Sequence, residues 1–190
     1  MSAGLFYCGH LTHFWHTNII KYCNRPFVTT SSEEHTWKII DNWNNTVGVN
    51  DEVRHLGDFA WNNGSRIVPK LNGKIHLVYG NHDVKQLKSY EGLFESIEVY
   101  HELRDLDKLP IILMHYPMRS WNRAFHGSWS LYGHVHGRIE DLPWQKTMDV
   151  GIDAVAKLLG DGDLRQCDYR PIAFEEIKEI MDNKPVFEGD

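Results

Sequence analysis

Short apolar runs alternate along the chain with longer segments whose apolar residues recur at helical spacing. Runs of this length, bounded by turn-forming residues, predict buried β-strands. The clearest runs cover residues 5–8, 53–56, 75–79 and 111–114. Weaker runs of the same kind cover residues 97–100, 130–132, 147–150 and 172–174.

Three segments between or after these runs predict helices. Ser31, followed three residues later by Glu34, is typical of a capping box at a helix N-terminus. The apolar residues that follow on one face of this helix are Trp37, Ile40, Trp43 and Val47. A second helix is predicted over residues 64–71, and a third over residues 174–181 with Phe174, Ile177 and Ile180 directed inward. Strands that alternate with helices predict an α/β domain.

Composition narrows the class of protein. The chain has 190 residues and shows no repeat or linker, so we expect one domain over residues 1–190. A net charge of -6 argues against general nucleic-acid binding. No apolar run approaches the roughly 18 residues of a membrane span, and no signal-like segment is visible. Cys8, Cys23 and Cys167 are widely spaced, which predicts free thiols and a cytoplasmic location. Residues 160–170 predict a polar loop.

Histidines and carboxylates follow directly after the predicted strands, in a chain with 12 histidines. A single histidine at a strand end is usually a packed or hydrogen-bonded residue. Ligands, however, bind at the carboxyl ends of strands in open α/β sheets. Five such segments together therefore predict a metal site, and they comprise His10 to His13, Gly57-Asp58, Gly80 to Asp83, His115 and Gly133 to Gly137.

The order of these segments resembles a known family. Gly57-Asp58, Gly80-Asn81-His82-Asp83, His115 and Gly133-His134-Val135-His136 are similar to the ordered motifs of the calcineurin-like metallophosphoesterases. Residues 18–27, 115–137, 149–154 and 168–172 resemble the small bacterial and phage branch of that family, with residues 156–166 as a local insertion. The resemblance implies two mixed β-sheets packed as a sandwich and flanked by helices.

The same resemblance implies a hydrolase that uses two divalent cations. By position, Asp58 would bridge both cations, and His82 would protonate the leaving oxygen. The remaining ligands would be Asn81, His115 and His134 at one site, and His13 and His136 at the other. Two cations roughly 3.5–4 Å apart can clamp a phosphoryl group and activate a water. This mixture of ligands suits Mn, Fe, Ni or Zn. Asp83 would either orient His82 or stabilise its turn.

The first motif departs from the family pattern. The family has Asp-x-His, usually followed by Phe-Gly-His, whereas this chain reads Leu11-Thr12-His13-Phe14-Trp15-His16. Leucine ligates nothing, so His13, Asp58 and His136 would hold their cation more weakly. In the other interpretation, a one-residue bulge brings His10 into the place of the carboxylate. Two functions follow: an active phosphoesterase, which we favour, and an impaired relative that binds metal or a phosphorylated ligand without turnover.

Charge and aromatic residues bear on the substrate. Residues 108–139 contain no Asp or Glu, and such a positive stretch around a metal site suits a small anionic phosphoester. Arg119 and Arg123 would bind phosphate oxygens or are solvated surface residues. The aromatic residues that would stack on a base or fill the core are Trp121, Phe125 and Trp129. We therefore expect a phosphodiester with a nucleoside as substrate, and neither a membrane nor stable nucleic-acid binding.

Overall fold

The computed structural model describes residues 5–27, 31–142, 144–161 and 168–186. The strands in these residues form two sheets. In chain order they are β1 (Phe6–Gly9), β2 (Glu52–His55), β3 (Lys74–Val78), β4 (Ser96–Glu98), β5 (Tyr100–Leu103), β6 (Ile111–Met114), β7 (Trp129–Tyr132), β8 (Thr147–Asp149) and β9 (Ile172–Ala173). The first sheet has the order β4-β3-β2-β1-β9, and the second has the order β5-β6-β7-β8.

Both sheets are mixed. Strands β1 to β4 are parallel to one another, and β9 runs antiparallel to β1. In the second sheet β6, β7 and β8 are parallel, and β5 runs antiparallel to β6. The carboxyl ends of β1, β2 and β3 therefore share one edge of the first sheet, as those of β6, β7 and β8 share one edge of the second. The polar segments of the sequence lie at these edges.

Helices flank the sheets. Their bounds are α1 (Thr17–Tyr22), α2 (Ser32–Thr46), α3 (Leu87–Tyr90), α4 (Ile152–Leu159) and α5 (Phe174–Asp182). The Ser31 side chain accepts a hydrogen bond from the backbone N–H of Glu34, as the predicted cap requires. Helix α1 has no counterpart in the predictions, and α4 occupies the start of the segment interpreted as an insertion. None of the helices in the described ranges is long and apolar enough to cross a bilayer.

Two apolar cores fix this arrangement. The first lies between α2 and the first sheet, where the fully buried Trp43 packs in one cluster with Val53 and Leu77. The second joins the sheets, because Cys8 and Val78 of the first sheet cluster with Leu131 of the second. The predicted sandwich of two mixed sheets flanked by helices is therefore confirmed.

Two predicted elements are wrong in form. Residues 64–71 make two short 3-10 turns, Gly64–Arg66 and Val68–Lys70, instead of one α-helix. Pro69 in the middle of this segment has no backbone N–H to continue a helix. Residues 97–100 do not form one strand either, because β4 ends at Glu98 and β5 starts at Tyr100 in the other sheet.

Two side chains face differently from the prediction. Trp37 is 41% exposed on α2, and the ammonium of Lys70 lies 5.4 Å from its ring centroid. On α5, Met181 is fully buried, whereas Ile180 is only partly buried against the second core. A helical turn of 3.6 residues puts Trp37 and Ile180 at the margins of their apolar stripes. Residues 162–167, which include Cys167 and most of the predicted polar loop, lie outside the described residues.

Candidate functional site

Glycines bring the strand ends of both sheets together. Gly57, two residues after the end of β2, has a φ of +96°, a value that residues with a side chain rarely adopt. A side chain there would overlap the backbone nitrogen of Gly80 and lie 2.7 Å from Nδ1 of His115. A side chain at Gly133 would overlap the His10 ring in the same way. These positions let the loops after β1, β2, β3, β6 and β7 approach one another closely.

Four of the predicted ligands meet at this point. Nε2 of His115 lies 3.6 Å from Oδ2 of Asp58, 3.2 Å from Oδ1 of Asn81 and 3.2 Å from Nδ1 of His134. The ligand atoms of Asp58, His115 and His134 all lie within 4.8 Å of one another, a spacing that suits one metal ion. We refer to Asp58, Asn81, His115 and His134 as the convergent half of the site.

The tautomer of His115 leaves its Nε2 without a proton, so that a lone pair faces the other ligands of this half. Its Nδ1 lies 2.8 Å from the carbonyl oxygen of Leu56, which only accepts hydrogen bonds, so Nδ1 carries the proton. Burial lowers the pKa of His115, although the Asp58 carboxylate partly opposes this effect. The ring is therefore neutral, and the Nε2 lone pair faces the oxygen atoms of Asp58 and Asn81. Acceptors that face one another in a buried site fit a cation between them.

The other two predicted metal ligands, His13 and His136, do not form a close group of three with Asp58 among the described residues. Nε2 of His13 lies 3.8 Å from Oδ2 of Asp58, and the His13 ring stacks on His136 at a centroid distance of 5.3 Å. Both ring nitrogens of His13 are buried without a hydrogen-bond partner, and burial holds its pKa well below the ordinary value. Within the described ranges, His136 forms a close group with Cys23 and Asp153. We refer to His13 and His136 as the open half.

A buried ion pair supports the open half. Arg25 donates two hydrogen bonds of 2.8 Å to the Asp153 carboxylate, and it also donates to the carbonyl oxygens of Leu11 and Thr12. Burial alone would raise the pKa of Asp153, but the positive charge of Arg25 and the hydrogen bond from His136 outweigh it and keep this pKa well below its usual range. Asp153 lies 2.7 Å from Nδ1 of His136. This contact leaves Nε2 of His136 as the nitrogen available to a metal.

Leu11 and His10 are both fully buried. Leu11 has a φ of 55°, a left-handed conformation in which Asp and Asn are several-fold enriched over other residues with a side chain. The His10 ring lies parallel to that of His115, at a centroid distance of 5.2 Å, and its nitrogens have no hydrogen-bond partner. Neither residue belongs to the close ligand groups found in the described ranges.

His82 and Asp83 have different tasks. The backbone N–H of His82 donates to Oδ1 of Asp58, and Nε2 of its partly exposed ring lies 4.0 Å from Oδ2 of Asp58. Asp83 is fully buried and accepts hydrogen bonds from the backbone N–H groups of Asp58, Phe59 and Gly80. Burial raises the pKa of Asp83 to about 7, against the effect of these donors. Asp83 thus connects the loops after β2 and β3, which agrees with the turn-stabilising interpretation.

A cavity of about 700 Å³ opens beside the open half and His82. Its wall includes His13, His82, His136, Trp61, Tyr22 and Arg138. Arg119 lies elsewhere, on a separate cavity of about 460 Å³ that Tyr132 and Trp144 also line. Arg119 is therefore not among the residues that line the cavity beside His82, and its contact with a phosphate stays a prediction.

The sequence-based interpretation missed several residues of this region. Trp61, His16, Arg25 and Asp153 were given no role, although Trp61 follows Asp58 by three positions and Asp153 lies in a segment that resembles the family. The predicted stacking residues are not on the wall of the cavity beside His82, and Trp129 is a buried member of the second core. The four residues given no role become visible only in the structure, where residues from distant segments lie close together.

Comparisons with known proteins place the chain among its relatives. No protein-family model matches it. The uncharacterized protein MJ1445 of Methanocaldococcus jannaschii is 30% identical over 196 residues, which cover 98% of this chain and 96% of that protein. The chain belongs to the family of MJ1445.

The fold of this family member is similar to that of a solved structure. The crystal structure of the protein of unknown function AQ665 from Aquifex aeolicus matches with a TM-score of 0.65 and 23% sequence identity. The match covers 93% of this chain and 99% of that one. At this level of identity the likeness concerns the fold alone.

Proposed function

We propose that this member of the MJ1445 family is a metal-dependent phosphoesterase of the calcineurin-like type, and specifically a phosphodiesterase. The observation that carries the proposal is the convergent half, where lone pairs of four side chains from four strand ends face one another. Two divalent transition-metal ions, Mn, Fe, Ni or Zn, would be held by Asp58 together with Asn81, His115, His134, His13 and His136.

The chemistry divides between the cations and the chain. Bound cations would polarise the phosphoryl group and make a water acidic enough to attack it. Asp58 is held in place by the N–H of His82, and Asp83 ties together the loops that carry Asp58 and Asn81. His82 is partly exposed at the cavity, so its ring has access to a leaving oxygen and would donate the proton that this oxygen needs.

One observation favours a second candidate, a protein that binds metal or a phosphorylated ligand without turnover. Leu11 occupies the position of a ligand carboxylate, and its side chain is fully buried. The open half would then lack a charge that the second cation needs. We favour the enzyme, because all four side chains of the convergent half and the proton donor His82 are present. We place the reaction in the cytoplasm, where Cys8 and Cys23 would stay free thiols.

The experiment combines metal content with turnover. The chain is loaded with Mn or Zn, freed of unbound ion, and assayed with bis(p-nitrophenyl) phosphate and p-nitrophenyl phosphate. We expect bound metal and faster hydrolysis of the diester. Asp58→Asn should lower turnover by at least about a hundredfold, since even outer-shell changes cost up to that much. Asp41→Asn, at an exposed position on α2, is the matched control.

Two results would count against the enzyme. Metal that binds without hydrolysis of either ester would support the binding protein instead. Hydrolysis that survives Asp58→Asn would show that another site is responsible. His82→Gln adds a further check: it should retain the metal and lower turnover by about 10²–10⁴-fold, most of all for esters with a poor leaving group.

A further inference from the structure

The cavity beside His82 suggests the chemical class of the substrate, an inference that rests on the proposed function. We propose that this cavity binds a nucleoside, so that the substrate is a nucleoside phosphoester whose base stacks on Trp61. His13, His82 and His136 lie on its wall, so an ester group attached to a phosphoryl group at the site would extend into it. Its volume of about 700 Å³ is in the range of ligand sites.

The ring of Trp61 gives the cavity a flat aromatic surface on which a base could stack. Trp61 is 50% exposed, so one part of its ring remains open to a ligand. The rest of the ring packs on His16 at a centroid distance of 4.3 Å and on His82 at 5.2 Å. The backbone N–H of Trp61 donates to the carbonyl oxygen of Phe14, which anchors this segment to the first motif. Trp61 is therefore a fixed platform on which a base can stack.

The polar groups of the cavity suit an anionic ligand with a polar ring. Within the described ranges, the wall contains no Asp or Glu. Arg138 is held at the wall because Nη2 donates to the carbonyl oxygen of Tyr22, and its guanidinium has further N–H groups for anionic oxygens. Asn18 and Asn62 add amide groups that match the donors and acceptors on the edge of a base.

His16 adds a donor of defined orientation. Its Nδ1 accepts a hydrogen bond from the backbone N–H of Ile19 at the start of α1, so Nδ1 carries no proton. The neutral ring then has its proton on Nε2. Because His16 also lines the cavity and packs on Trp61, this N–H would donate to the ribose or to a phosphoryl oxygen.

Binding to the metal-loaded full chain tests the proposal without depending on turnover. Isothermal titration calorimetry compares AMP with ribose 5-phosphate, which has the same phosphate and sugar but no base. We expect AMP to bind at least about tenfold more tightly, as one stacked base accounts for such a difference. Trp61→Ala should abolish this preference, and Trp61→Phe should retain part of it. Trp37→Ala, at an exposed tryptophan of α2, is the matched control and should leave it intact.

The outcomes separate this inference from the proposed function. Equal affinity for AMP and ribose 5-phosphate overturns the nucleoside site, and so does a preference for AMP that persists in Trp61→Ala. Both results would hold even if methyl p-nitrophenyl phosphate is hydrolysed, which tests the proposed function separately. A preference for AMP that requires Trp61, in a chain that binds metal but hydrolyses no ester, supports the nucleoside site and contradicts the phosphoesterase. Arg138→Ala should weaken both ligands to the same extent, because both carry the phosphate.

Discussion

The convergent half and the open half of the candidate site differ in how their ligand atoms are arranged. In the convergent half, Nε2 of His115 faces the other three ligands at 3.2–3.6 Å. In the open half, His13 approaches Asp58 only to 3.8 Å, and Nδ1 of His136 is engaged by Asp153. The difference is that the structure brings the four side chains of the convergent half directly together, whereas His136 of the open half is directed toward Asp153.

Under the proposed function the two halves also differ in charge. Asp58 would be the carboxylate ligand for both cations, because Leu11 stands where the resemblance implies a second carboxylate. A cation held by neutral imidazoles and a shared carboxylate binds more weakly than one with a carboxylate of its own. We therefore expect the halves to fill in order, the convergent half first.

The largest effects should come from two single substitutions, one histidine in the convergent half and one in the open half. His115→Gln is expected to abolish binding of the tighter ion and to lower turnover by at least about a hundredfold. His13→Gln should remove only the weaker ion and leave one ion bound per chain. Titration with Mn, followed by calorimetry, measures both. His126→Gln, at an exposed histidine, is the control. Loss of both ions in His13→Gln would contradict the ordered filling.

A second, smaller effect should follow from Asp153→Asn. The variant weakens the hold on Nδ1 of His136, so the affinity for the second ion should fall about 10–100-fold while the first ion stays bound. It also leaves the buried Arg25 without its counter-charge, which costs about 3–5 kcal/mol of unfolding free energy. Asp182→Asn, in an exposed ion pair on α5, is the matched control and should change neither quantity. Unchanged binding of the second ion would contradict the role given to Asp153.

The same variant changes the pH dependence of stability. The folded-state pKa of Asp153 is depressed, so its contribution is fully present above the unfolded value of about 3.9 and is lost as the pH falls through the folded-state pKa. Chemical denaturation at several pH values should show the difference between wild type and Asp153→Asn shrinking below about pH 4. A difference that is constant down to the lowest pH would assign the loss to packing.

The smallest effect should come from Leu11→Asp, which adds the carboxylate that the open half lacks. An Asp tolerates the left-handed backbone at this position better than Leu, and the carboxylate would tighten the second ion about tenfold. Calorimetry with Mn measures the change. The companion variant His10→Ala tests the other interpretation: loss of the second ion in this variant, with no gain in Leu11→Asp, would make His10 the substitute ligand.

Local sequence was sufficient where local forces decide the structure. The apolar run at residues 111–114 is the strand β6, and the cap at Ser31 precedes α2, because burial and capping act within a few residues. Sequence reasoning failed over residues 64–71, where Pro69 breaks the helical pattern, and at residues 97–100, where the chain leaves one sheet for the other.

For the site, the residues that can carry chemistry after each strand are visible in the sequence, since histidines, carboxylates and glycines can be read directly from it. Which of these residues meet depends on the three-dimensional packing. The pairing of Arg25 with Asp153, 128 positions apart, and the position of Arg119 on a different cavity from His82 depend on how the loops of two sheets pack. No local pattern encodes such contacts, because the free energy that forms them comes from burial across the whole sandwich.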